Sequence, residues 1–194
     1  MATEIRLRLC SLGDEDSLAL VGQATFLETF AGHLGGRDII SHCSTAHSSE
    51  QYRSWLGDPT YRIWLVETDP GNAPIGFMVV APAQLPLSDV SEQDLEIKRI
   101  YVLSKFQGGG TGKLLVAEAL QYSRTWNASR LLLGVYAGND SAIGFYEHVG
   151  FRKLGTRKFN IGGHNYDDNI MGMSLTPNNS FKPKPLRGSA KFRR

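Results

Sequence analysis

The stretch best suited to chemistry is glycine-rich, Gln107 to Gly112 (QGGGTG). It follows an apolar run, Leu95 to Leu103, that reads as a strand. It opens into Leu114–Tyr122, where Leu114, Leu115, Ala119 and Leu120 recur at helical spacing. A strand, a glycine turn and a helix start aim unpaired backbone N–H groups and the positive end of a helix dipole at one spot. Such a spot binds an anion, most often a phosphate. Spacing excludes two common phosphate loops. A P-loop needs glycine where Gln107 stands and Ser or Thr where Leu114 stands. A dinucleotide fingerprint on Gly108 and Gly110 needs glycine where Lys113 stands. The pattern that remains is Gln-x-x-Gly-x-Gly, on Gln107, Gly110 and Gly112.

A second block, NDSAIGFYEHVGF (Asn139 to Phe151), follows another apolar run, Arg130 to Tyr136. Asn139 is placed to cap a helix, and Gly150 to end it. The paired blocks resemble the GCN5-related N-acetyltransferase (GNAT) family. The first matches its pyrophosphate loop. The second matches N-x-x-A-x-x-F-Y-x-x-x-G-F at Asn139, Ala142, Phe145, Tyr146, Gly150 and Phe151. The resemblance covers roughly residues 60–175.

It implies acetyl-CoA as co-substrate and no metal. The amides of Gly108, Gly109, Gly110, Thr111, Gly112 and Lys113, after Gln107, would hold the pyrophosphate; a plain strand-to-helix turn is the competing reading. Main-chain groups of Ile100, Tyr101 and Val102 would meet the pantetheine arm as an added strand would. Asn139 would bond that arm while capping its helix. Tyr146 would be the general acid for the departing thiolate, against the alternative of a packed core tyrosine. Glu96 would be the base that takes the amine proton, directly or through water; its competing role is an ion pair with Lys98 or Arg99.

These groups must be positioned by a scaffold. Strands are expected over Glu4–Cys10, Tyr61–Glu67, Ile75–Ala81, Leu95–Leu103 and Arg130–Tyr136, with a closing pair over Phe151–Asn160 and Asn165–Leu175. One helical face runs from Leu18 to Phe30, and a second helix starts near Ser48. Residues 37–47 show little pattern and read as a mobile loop around a short helical piece. The fold class is α/β (α+β): a mixed, mostly antiparallel sheet with helices on both faces. The resemblance implies a wedge for acetyl-CoA where two parallel strands, Leu95–Leu103 and Arg130–Tyr136, splay apart. One domain over 1–176 and a basic, disordered tail over 177–194 are expected.

Composition narrows the partners. Six of the 21 basic residues lie in the tail with no acid, leaving 15 against 19 acids in the body, a net −4. An acidic body disfavours nucleic acid as a partner and hints at a cationic one. There is no apolar run of membrane-spanning length and no signal-like N-terminus, so a cytoplasmic protein without a membrane partner is expected. Cys10 and Cys43 read as free thiols. His42, Cys43 and His47 match no common zinc spacing.

The closing segment, RKFNIGGHNYDDNIMGMSL, resembles the last hairpin of the bacterial spermine/spermidine acetyltransferase branch. Phe159, Gly162, Asp167 or Asp168, Ile170 and Met171 stand in the matching places, with the acid offset by one. The function expected is acetyl transfer from acetyl-CoA to a primary amine of a small molecule, with a polyamine as one option, in a ternary complex. The alternatives are a protein N-terminal or lysine acetyltransferase of the same fold, and a non-catalytic CoA-binding regulator. A homodimer is left open.

Overall fold

The computed structural model describes residues 4–161 and 163–175. The expected tail over 177–194, and Gly162 of the closing turn, lie outside the described residues. In chain order the elements are β1 (Glu4–Leu9), α1 (Glu15–Phe30), α2 (Gly36–Ala46), α3 (Ser49–Gly57), β2 (Arg62–Asp69) and β3 (Pro74–Pro82). There follow β4 (Asp94–Val102), a single 3-10 turn at Ser104–Phe106, α4 (Thr111–Thr125), β5 (Arg130–Tyr136), α5 (Asp140–His148), β6 (Arg152–Ile161) and β7 (His164–Ser174). The strands form one seven-stranded sheet in the order β1-β2-β3-β4-β5-β7-β6. Every neighbouring pair is antiparallel except β4 and β5.

The central strands are apolar on both faces because both faces are covered. Side chains alternate across a strand. Ile63, Leu65, Phe77 and Val79 therefore pack with Leu18, Val21 and Tyr52 from α1 and α3. Trp64, Val66, Met78 and Val80 pack on the other face with Leu115, Val116 and Ala119 of α4.

Residues 37–47, expected as a mobile loop around a short helical piece, form most of α2. The reason is tertiary. Of the helix's side chains only Ile39 is fully buried. It joins Phe26, Leu34 and Ile161 in a small cluster between α1 and the β6–β7 hairpin. The inward face of α2, Ile39, His42 and Cys43, has helical spacing, but Ile39 is the one large aliphatic side chain on it, so the segment reads as mostly polar.

Two irregularities in β4 create the site. The register against β3 slips between Val79, which pairs with Arg99, and Val80, which pairs with Ile97. Lys98 is thus the extra residue of a β-bulge. The bulge reverses the alternation: Leu95 and Ile97 face the α4 side before it, and Ile100 and Val102 face that side after it. Arg99 and Tyr101 are sent to the opposite face. Pairing of β4 with β5 is confined to Asp94–Ile97 against Arg130–Leu133. Beyond that point β4 continues with β3, and β5 with β7. The facing edges of Lys98–Val102 and Gly134–Tyr136 are left apart, which is the expected wedge.

Candidate active site

The wedge opens into a cleft of about 1060 Å³. Its lining includes Ile100, Tyr101 and Val102 of β4, the loop residues Gln107, Gly108, Gly109, Gly110, Gly112 and Lys113, and Asn139 and Tyr146 of α5. The structure therefore brings together most residues singled out in the sequence. Thr111 and Glu96 do not line the cleft.

The loop owes its shape to local chemistry. Gly108 and Gly110 have φ of +77° and +95°, which side-chain-bearing residues adopt only under strain. Gln107 Nε2 donates to the Val102 carbonyl at 2.8 Å, tying the loop back to the end of β4. The Thr111 hydroxyl is buried and donates to the Phe106 carbonyl at 3.2 Å. Glu28 of α1 accepts from the Ser104 amide at 2.8 Å and from its hydroxyl at 2.6 Å, anchoring the turn before the loop. Gly112 has a packing role: a Cβ there would lie 3.2 Å from the Phe145 ring, which draws α4 close to α5.

The backbone amides of residues 108–113 have no acceptor among the described residues; the first bond of α4 runs from the Leu114 amide to the Gly110 carbonyl. Unpaired amides at the positive end of a 15-residue helix form a cradle for an anion. Lys113 lines the same end of the cleft, with its ammonium 3.2 Å from His148 Nε2. This donor set suits a pyrophosphate, and the unpaired strand edges beside it suit an extended arm rich in amides.

On α5 the Asn139 side-chain oxygen accepts from the Ala142 amide at 3.1 Å, so the N-cap is made. Tyr146 is 8 % exposed and its ring packs against Phe145 and Phe151. The ring belongs to the core and the residue also lines the cleft, so the packing role is met and the general-acid reading stays open. Burial, reinforced by the neighbouring Tyr101, raises its pKa well above the ordinary phenol value, so the hydroxyl stays protonated across the physiological range.

Glu96 is 4 % exposed. Its carboxylate accepts from Lys98 Nζ at 2.8 Å and from the Gln84 amide at 3.0 Å. This is the ion pair that competed with its role as base. The acids of the last hairpin are also engaged. Asp167 pairs with Lys158, and Asp168 with Arg157 at 3.0 Å. Burial raises the Asp168 pKa, against the opposing effect of Arg157. Among the described residues no group of three His, Cys, Asp or Glu side chains is arranged to hold a metal.

The sequence reading missed a buried polar cluster behind the cleft, which reaches the cleft lining through Arg99. On the α1–α3 face of β4, His47, Tyr52 and Arg99 form a hydrogen-bonded group beside Tyr101. His47 Nδ1 lies 2.8 Å from the Tyr52 hydroxyl, which accepts from Arg99 at 2.9 Å. Burial, with Arg99 and His42 nearby, pulls the His47 pKa down to about 2, so the imidazole is neutral. The readable signal was Gly22, mid-helix in α1. A Cβ there would lie 2.4 Å from His47 and 2.6 Å from the Tyr52 hydroxyl.

A mixed seven-stranded sheet with a splayed parallel pair, and an anion cradle at the mouth of the splay, define an acetyltransferase fold. Comparison with known proteins agrees. The Acetyltransferase (GNAT) family profile matches residues 24–151, and the chain belongs to that family. It is 30% identical over 162 residues to an uncharacterized N-acetyltransferase of Mycobacterium tuberculosis, covering 84% of this chain and 98% of that one. Among solved structures it resembles the PaiA N-acetyltransferase of Thermoplasma acidophilum in complex with coenzyme A. The TM-score is 0.73 at 21% identity, over 88% of this chain and 99% of that one. It also resembles Arabidopsis thaliana NAA60 in complex with a bisubstrate analogue, with a TM-score of 0.67 at 18% identity, over 88% and 98% of the two chains. The protein is an N-acetyltransferase, and no helix among its described residues is long and apolar enough to cross a membrane.

Proposed function

We propose that the protein transfers an acetyl group from acetyl-CoA to a primary amine of a small molecule held in the same cleft. The observation that carries this is the row of amides at residues 108–113, without acceptors among the described residues, beside a cleft that Tyr146 also lines. Acetyl-CoA would supply an activated acyl group as a thioester. The loop amides and Lys113 would bind its diphosphate, and the free edge of β4 at Ile100–Val102 its amide-bearing arm. A main-chain amide on that edge is also suited to polarise a thioester carbonyl. Asn139 contributes its side-chain NH₂, because its oxygen is committed to the helix cap.

Tyr146 holds a proton at Oη. It can donate a hydrogen bond or a proton to the departing thiolate, and burial, which raises its pKa, favours the hydrogen-bond donor over the fully ionised phenolate. Glu96 can take the amine proton only through intervening water, since it lies outside the cleft lining and is hydrogen-bonded to Lys98 and Gln84. The polyamine option gains nothing from the hairpin acids. Asp167 and Asp168 are matched by Lys158 and Arg157, so they present no surplus negative charge.

The test has two parts. Calorimetry should detect acetyl-CoA and CoA binding to the full chain. A panel of amines with acetyl-CoA should then release free thiol for at least one class. Absence of binding overturns the proposal. Binding without thiol release from any amine, peptide or protein acceptor would leave a CoA-binding regulator and overturn the catalytic reading.

A further inference from the structure

Arg99 is the residue the site has not yet used. It follows the bulge in β4, lines the cleft and points to the α1–α3 face. Its guanidinium lies 4.5 Å from the centre of the Trp55 ring and 5.4 Å from that of Tyr52. One nitrogen donates to the Tyr52 hydroxyl at 2.9 Å and lies 3.5 Å from His47 Nδ1. No carboxylate lies within 4.0 Å of it among the described residues. Its other N–H groups have no acceptor there.

The neighbouring cations differ. Lys98 is paired with Glu96, and Arg157 with Asp168. Lys113 lines the same cleft, on the glycine-rich loop. Arg99 and Lys113 are therefore two cleft-lining cations with no carboxylate partner among the described residues, and the loop accounts for only one of them. A half-buried guanidinium without a counter-charge is costly unless a ligand supplies one. Its rigid fork matches a carboxylate bidentately.

We propose that Arg99 anchors a carboxylate of the acceptor, so that the amine acetylated belongs to an amino-carboxylic acid. The proposal rests on the acetyl-transfer reading above and names its substrate class. The surroundings support it. His47 and His42 are kept neutral by burial and by Arg99 itself, their pKa values drawn down to about 2 and about 4. The positive charge of this cluster is therefore concentrated on Arg99, its one member that lines the cleft. Stacking on Trp55 and the bond to Tyr52 hold the fork in place, which reduces the entropy lost when an anion binds. A polyamine would bring its positive charges against this same guanidinium.

The experiment uses the full chain, acetyl-CoA and thiol detection on matched acceptors: free amino acids and dipeptides, the same molecules as C-terminal amides, and the corresponding decarboxylated amines. The acids should show kcat/KM higher than their amides by roughly tenfold or more, the worth of a charge-assisted contact. Arg99→Met should remove the preference by raising KM for the acid with little change in kcat, and Arg99→Lys should restore part of it. Acetyl-CoA affinity, measured separately by calorimetry, should be unchanged in both variants. Equal or better turnover of amides or decarboxylated amines by the wild-type protein overturns the proposal. So does a lack of turnover for every acid while acetyl-CoA binds. Loss of acetyl-CoA binding in the wild-type protein would instead remove the acetyl-transfer reading on which it stands.

Discussion

Gly108→Ala tests the cradle with almost no side-chain chemistry. A Cβ at Gly108 would meet no heavy atom within 4 Å, so the substitution creates no clash. What it changes is the backbone: φ is +77°. An L-residue in that region costs about 1–2 kcal/mol. Gly109→Ala is the control. Its Cβ also meets nothing within 4 Å, and Gly109 is not among the positive-φ residues. Both substitutions lower the entropy of the unfolded chain alike, so the comparison isolates the strain.

That strain must appear somewhere. If the loop keeps its shape without ligand, stability falls and the melting temperature drops by about 2–8 °C relative to Gly109→Ala. If the loop relaxes and is re-formed on binding, affinity for CoA falls by roughly 5–30-fold instead. Intermediate behaviour divides the same 1–2 kcal/mol, approximately, between the two readouts. Calorimetric titration with CoA and a thermal melt on each variant measure both. Gly108→Ala that binds CoA like the wild-type protein and melts like Gly109→Ala would refute the reasoning.

Three further predictions concern the cleft and the core. Tyr146→Phe should lower turnover about 10²-fold or more, the worth of a positioned acid, with CoA affinity nearly intact; unchanged turnover removes Tyr146 from the chemistry. His47, neutral and 1 % exposed, has a folded pKa of about 2 against an ordinary 6.5. Below pH 6.5 the unfolded chain takes up a proton that the folded one refuses, so stability should fall by up to about 1.4 kcal/mol per pH unit as pH drops. Urea denaturation between pH 7 and pH 5 should show this slope reduced in His47→Gln, and equal slopes would contradict the assignment. Phe151→Ala removes a fully buried ring packed on Tyr146, so about 3–5 kcal/mol of stability should be lost in urea titration. A loss below 1 kcal/mol would mean the core closes over the gap.

Much of the fold was legible because its signals are local. The alternation Ile5, Leu7, Leu9 and the apolar runs at Ile63–Val66 and Leu131–Leu133 mark strands whatever the rest of the chain does. The loop was legible for the same reason, since positive φ at Gly108 and Gly110 is a demand on those residues alone. α2 was legible only as a short helical piece, because Ile39 is the one large aliphatic side chain on its inward face and the partners of that face come from α1 and β6.

Amino-acid sequence alone therefore made legible the strands of the sheet, the glycine turn before α4 and the family resemblance, all written in short-range spacing and residue type. It could not assign partners across the fold. Whether Glu96 faced the cleft or Lys98, and whether Asp167 and Asp168 were free to attract a cation, depended on which side chains came within a few ångströms. The bulge at Lys98 decided the rest. One extra residue in β4 turns Arg99 toward Tyr52 and Trp55; the apolar phase does slip between Leu95–Ile97 and Ile100–Val102, but that slip does not say what Arg99 meets. Pairing and facing are properties of chain segments brought together from far apart, so only the tertiary structure could decide them.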